Sequence, residues 1–139
     1  MLGSKKMRRF VGMLMGAALC GSLLTGCGGG EKSADNEIKV GANFELTGNV
    51  ANYGTATFEG LQLAIDEANA AGGINGKQIR LVKADTKSET SEAVTAATKL
   101  IADEKVKVLV GPATTAPVIA ETQIATEHKV PVLAPCATS

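Results

Sequence analysis

"VLVGPATTAPVIAETQ", residues 108–123, runs from an apolar stretch through Gly111-Pro112 to two threonines, then into residues with helical apolar spacing. Three branched apolar residues stopped by Gly-Pro read as a short buried strand. Thr114 and Thr115 then stand where a helix begins. A threonine there can cap the helix. Two hydroxyls beside free helix amides also form a seat for an anion. Strand, turn and helix in that order, with hydroxyls at the carboxyl end of the strand, is the repeating unit of ligand-binding α/β sheets.

The same beat extends in both directions. Strands are predicted at 38–43, 78–84, 106–110 and 130–133, all rich in Val, Ile and Leu as burial on two faces requires. Phe58, Leu61, Ala64, Ile65, Ala68 and Ala71 follow helical spacing, as do Val94, Ala97, Leu100 and Ile101. A weaker helix covers 115–127, with Ile119, Ala120 and Ile124 on its apolar side. "ANAAGGINGKQIRL" (68–81) closes a helix with paired glycines and enters the next strand through an Asn75-Gly76 turn. Three strand–helix–strand units predict an α/β fold: a parallel sheet, joined by right-handed crossovers and flanked by helices. Sheets of this kind usually have about five or more strands. This one stops just after its fourth, and the chain reads as a truncated piece of a larger protein.

The first 26 of the 139 residues read as an export signal. Lys5, Lys6, Arg8 and Arg9 form a basic head, and "VGMLMGAALCGSLL" is an apolar run too short to span a bilayer comfortably. "LLTGC" then places small residues before Cys27 and resembles the bacterial lipobox, in which that cysteine becomes the lipid-bearing first residue of the mature chain. Acyl chains contribute about 0.8 kcal/mol per buried methylene, so two or three anchor a domain firmly. Residues 27–37, "CGGGEKSADNE", form a flexible tether, and the domain occupies 38–139. The expected location is therefore extracytoplasmic, lipid-anchored to the outer face of the cytoplasmic membrane or in the periplasm.

The chain carries 14 basic and 14 acidic residues; loss of the signal leaves 10 against 14, near −4. Such a balance offers no basic patch for nucleic acid. Cys20 lies in the signal and Cys27 takes the lipid, so Cys136 has no disulfide partner. Phosphate-binding glycine motifs and Cys/His metal spacings do not occur, which leaves no nucleotide, cofactor or metal to expect. His128, the sole histidine, lies in a polar stretch and reads as a surface residue, so Cys136 lacks a base that would make it a nucleophile. Asp85, at the end of the second strand, reads as ordering the "DTKSET" loop.

Three loops follow the carboxyl ends of strands, where α/β sheets bind ligands: "ELTGNVANYGTATFEG", "GPATTAP" and "APCATS". Their Tyr-Gly, Gly-Pro-x-x-Thr and preceding Gly-Gly-Ile-Asn-Gly elements, over 38–139, resemble the branched-chain amino-acid-binding proteins of ABC importers, the leucine/isoleucine/valine-binding type. That family has two Rossmann-like lobes, the type I periplasmic binding fold, closing on a ligand; this chain matches most of the first.

The resemblance implies roles by position. Thr115 would hold the ligand carboxylate through its hydroxyl and amide, and Thr114 would be a wall beside it. The Cys136 carbonyl would accept from the ligand ammonium, Thr138 would bind the amino-acid head group, and Ala137 lies between them. Cysteine replaces the usual alanine at 136, which a backbone carbonyl tolerates. Tyr53 would line the pocket with a ring that suits an amphipathic solute. For the ligand ammonium no acidic side chain in the three loops is well placed, Glu45 being the nearest candidate; the resemblance implies that an acidic residue of the second lobe supplies the counter-charge. The implied function is a solute-binding component, not an enzyme, that captures branched-chain or related small amino acids and delivers them to a membrane permease. The alternatives are a ligand-sensing receptor domain of the same fold and a nonfunctional fragment.

Overall fold

The computed structural model describes residues 36–138; the signal, the lipobox cysteine and most of the tether lie outside the described residues. The elements are β1 (Glu37–Phe44), α1 (Ala51–Ala70), β2 (Gln78–Asp85), α2 (Thr90–Ala102), β3 (Val108–Val110), α3 (Thr115–Glu127) and β4 (Val132–Leu133). All strand pairs are parallel, in the order β2-β1-β3-β4. Each predicted element is present. β3 and β4 each begin two residues later than expected, and β1 begins one residue earlier.

Alternation along β1 explains the two faces. Val40, Ala42 and Phe44 point to one side, with Ile79, Leu81, Val108 and Val110 from the neighbouring strands. The α1 stripe of Phe58, Leu61, Ile65 and Ala68 covers them. The Phe58 ring meets the fully buried Phe44 edge-on, 6.3 Å between centroids. Leu109, Val82, Ala84 and Val132 face the other way, onto Ala97, Leu100 and Ile101 of α2 and Ile124 and Ala125 of α3. Burying Phe44 or Leu109 contributes about 1.5–3 kcal/mol each, so the central strands carry much of the apolar stabilisation. α1 covers β1 and β2 but does not extend to β4, which leaves Leu133 60% exposed.

The predicted link from α1 to β2 is borne out in its geometry. Gly73 N–H bonds the Ala68 carbonyl and Gly72 N–H that of Asn69, the paired closing bonds of a Schellman motif. Asn75 and Gly76 have φ of 52° and 78°, and Ile74 and Lys77 exchange both backbone hydrogen bonds across that turn. Asn69 then fastens the helix to the sheet: its side-chain amide donates to the Ile79 carbonyl and accepts from the Ile79 N–H.

Two helices depart from expectation. α1 begins at Ala51, seven residues before its apolar stripe, because its first turns face solvent and the β1 loop rather than the core. On α3 the buried residues are Pro117, Glu121 and Ala125, whereas Ile119 is 59% exposed. Of the apolar side read from the sequence, only Ile124 packs against the core. The physical reason is polar: Asn43 on β1 points to the α3 side and donates its side-chain amide to Glu121 and to the Ala93 carbonyl of α2. That pairing turns a charged residue inward.

Candidate ligand site at the strand carboxyl ends

β1 sends its chain toward β2 on one side, yet its other neighbour is β3. The strand order therefore reverses between β1 and β3, and the loops leaving these two strands diverge to opposite faces. A crevice outside the carboxyl ends at such a point is where open α/β sheets hold ligands.

Two glycines let the loops come together. A Cβ on Gly54, in the first turn of α1, would lie 2.1 Å from the Glu45 carbonyl oxygen. Gly111 has φ of 104°, and a Cβ there would lie 2.2 Å from the Asn43 carbonyl oxygen. At both places side chains are excluded by backbone.

Carboxylates then tie the loops to one another. Asp85, at the end of β2, accepts from the amides of Leu46 (3.0 Å), Thr47 (3.1 Å) and Lys87 (2.8 Å), and from the Thr47 hydroxyl (2.7 Å). It orders its own loop as expected, and the β1–α1 loop as well. Partial burial by itself pushes this carboxyl up. The Thr47 hydroxyl and the three amides outweigh that and hold it below the usual value.

Glu45 is the second tie. Its fully buried carboxylate accepts from the Ala113 amide (2.9 Å), the Thr114 amide (3.1 Å) and the Thr114 hydroxyl (2.5 Å). One sequence expectation changes here, and another gains its physical reason. The seat before α3 is occupied in part by an anion of the chain itself, and Thr114 turns inward to it. Glu45 is also not free to face a ligand ammonium. The signal that could have found this was a lone acid directly after an otherwise uncharged run, "VGANF". Beneath it lies Glu121, also fully buried; burial pushes it up, the Asn43 hydrogen bond opposes, and the Glu45 charge adds to the rise, to about 7.

The remaining predicted residues gather on the outer side of these ties. Thr115 is the first residue of α3, and its hydroxyl oxygen accepts from the Thr138 amide at 3.4 Å. Cys136 is exposed, with Sγ 3.6 Å from the Thr57 hydroxyl of α1. Thr57 already donates its proton to the Tyr53 carbonyl at 2.7 Å, so the thiol is the donor in that contact. Tyr53, one turn before Thr57, is 59% exposed, on the helix rather than in the loop where the sequence placed it. Ala137 is half-buried between Cys136 and Thr138. His128 is exposed at the far end of α3, which at 1.5 Å per residue is roughly 20 Å from Thr115. Among the described residues, the hydrogen-bond partner of the thiol is the Thr57 hydroxyl and not a base. Hydroxyls, helix amides and one aromatic ring make a surface that can hold a small polar solute by hydrogen bonds.

Similarity to known proteins follows the same span. The chain is similar to the Leu/Ile/Val-binding protein BraC3 of Rhizobium johnstonii, 37% identical over 106 residues, covering 76% of this chain and 29% of that protein. The structure is similar to the branched-chain amino acid transporter substrate binding protein LivJ from Streptococcus pneumoniae, solved in complex with isoleucine. There the TM-score is 0.73 and the identity 51%, over 74% of this chain and 30% of that one. It is also similar to a solute binding protein of an ABC transporter from Rhodopseudomonas palustris, solved with 3,4-dihydroxybenzoic acid. That match has a TM-score of 0.69 and 27% identity, over 75% and 28% of the two chains. The chain spans less than a third of the length of these relatives. A family model described as periplasmic binding protein matches residues 37–139, and the chain belongs to that family.

Proposed function

We propose that this chain forms most of the first lobe of an extracytoplasmic solute-binding protein that captures branched-chain or related small amino acids for an ABC permease. The observation that carries the reading is the cluster of Thr115, Thr138, Cys136 and Tyr53 at the strand carboxyl ends, in a chain 51% identical to a transporter protein solved with isoleucine. A ligand carboxylate would accept from the Thr115 hydroxyl and the free amides of the α3 N-terminus, where the helix dipole favours negative charge. Thr138 would complete that grip, the Cys136 carbonyl would accept from the ammonium, and the Tyr53 ring would cover apolar carbons. Thr114 is a wall behind Thr115. These roles involve binding and no bond-breaking chemistry.

With Glu45 buried and engaged, this part of the chain supplies no counter-charge to the ammonium, so the isolated lobe is proposed to bind amino acids weakly or not at all. The test is calorimetry on the complete gene product with leucine, isoleucine, valine and 3,4-dihydroxybenzoate. Saturable heat at micromolar amino acid supports the reading. Binding of the aromatic acid alone would move the protein to another ligand class within the family.

The anchor is proposed separately. Cys27 would carry the lipid; a palmitate label should enter the protein and Cys27→Ala should abolish it. Persistent labelling of that variant would remove the lipoprotein reading.

A further inference from the structure

An N-cap threonine normally turns its hydroxyl onto the amide of the second or third helical residue. Thr114 is the N-cap of α3, with extended backbone (φ −107°, ψ 151°), yet it makes no such bond. Its hydroxyl goes to Glu45 instead. The third helical residue is Pro117, which has no N–H to cap. Thr115 and Ala116 are left, and among the described residues neither amide finds an acceptor.

We propose that Glu45 is a positioning residue that keeps the N-terminus of α3 uncapped, diverting the Thr114 hydroxyl so that the Thr115 and Ala116 amides stay open to the ligand carboxylate. The inference rests on the ligand site proposed above. Glu45 never touches the ligand. Its three hydrogen bonds fix the turn from the inside, and Gly54 lets its backbone seat against α1. A carboxylate suits this place because all three groups facing it are donors, and an ionised carboxyl is an acceptor only.

Glu45→Gln tests this. A glutamine keeps one acceptor oxygen and turns an NH2 toward groups of which two, the Ala113 and Thr114 amides, can only donate; its weaker hold lets the Thr114 hydroxyl rotate to cap Ala116. Two results are expected. In the complete gene product, leucine or isoleucine affinity falls about tenfold or more, as for loss of a hydrogen bond to a charged group. In the chain described here, the Ala116 amide exchanges with solvent more slowly in E45Q, and adding Thr114→Val reverses that protection. A merely structural role predicts the opposite sign, faster exchange throughout the first turn of α3. Unchanged affinity in E45Q, or faster Ala116 exchange, overturns the proposal. Should E45Q not fold, T114V alone decides: Ala116 exchange equal to that of the unaltered chain supports the diverted hydroxyl, and faster exchange shows that it was a cap. If the unaltered gene product binds no amino acid, the ligand reading fails while the exchange measurements still judge Glu45.

Discussion

Asn43 and Glu121 meet in the interior, the side-chain amide of one donating to the carboxyl of the other across the interface between β1 and α3. The second Glu121 oxygen and the side-chain Oδ1 of Asn43 have no partner among the described residues. A buried ionised carboxylate so sparsely bonded is costly, which is why its proton is held to about 7 rather than the ordinary 4.5.

That relationship has a signed consequence for stability. The folded chain keeps the proton between about 4.5 and 7, where the unfolded chain has released it. The contribution of Glu121 to stability is therefore greatest below that window and falls as pH rises through it, by about 3 kcal/mol in all. Glu121→Gln should be flat across the window while still offering Asn43 an oxygen. Urea titrations near both ends of the window check this; the same slope in both proteins would acquit Glu121.

For Asp85 the sign is reversed. Its carboxyl is held below 3.8, so its contribution is present above that value and is lost as pH falls through the folded one. Asp85→Asn should cost about 1–2 kcal/mol near neutrality, a figure reduced by solvent screening of this partly exposed group. The gap between the two proteins should narrow in acid. A gap independent of pH would mean that the charge of Asp85 is irrelevant to the loops it joins.

Two glycines on one helix should respond in opposite directions. Alanine favours an α-helix over glycine by about 1 kcal/mol. At Gly60 an added Cβ meets nothing within 4 Å, so Gly60→Ala should stabilise by about 0.5–1 kcal/mol. At Gly54 the same methyl lands 2.1 Å from a backbone oxygen, and Gly54→Ala should destabilise by about 1–3 kcal/mol despite its better propensity. Thermal unfolding of the pair decides, and a shift in the same direction for both would contradict the close packing of α1 on Glu45.

Thr115→Val keeps the shape of the side chain and removes its hydroxyl. A hydrogen bond to a charged group contributes about 1.5–3 kcal/mol, so amino-acid affinity in the complete gene product should fall about ten- to a hundredfold. Calorimetry reads this directly; full affinity in the variant would leave Thr115 as the start of a helix and nothing more.

Backbone features were legible because they depend on local pattern. The run "IKVGANF" announced β1, and "GGING" announced both a helix end and a tight turn. The start of α1 was hidden: Val50, at its N-cap, makes no side-chain cap bond, and the first turns carry no apolar stripe. Thr114, Thr115, Cys136 and Thr138 were found from their places after strands. What they bond to was not, since Glu45 and Thr114 are 69 residues apart and Asn43 and Glu121 are 78 apart. Hydrophobic periodicity is silent on polar groups that are buried in pairs. For that reason the spacing along α3 points to an apolar side that includes Ile119, which the structure leaves exposed.

The strand order also sets a timetable. β1 is made first but lies inside the sheet, with β2 on one flank and β3 on the other. Its β2 flank can close as soon as Asp85 has been synthesised, whereas the β3 flank waits for Val108–Val110. At about 5–20 residues per second that interval lasts on the order of one to five seconds. Throughout it, Asn43 and Glu45 stand on a nascent chain whose partners Glu121, Ala113 and Thr114 do not yet exist. The polar atoms that form the inner framework of the site therefore stay unpaired until α3 arrives.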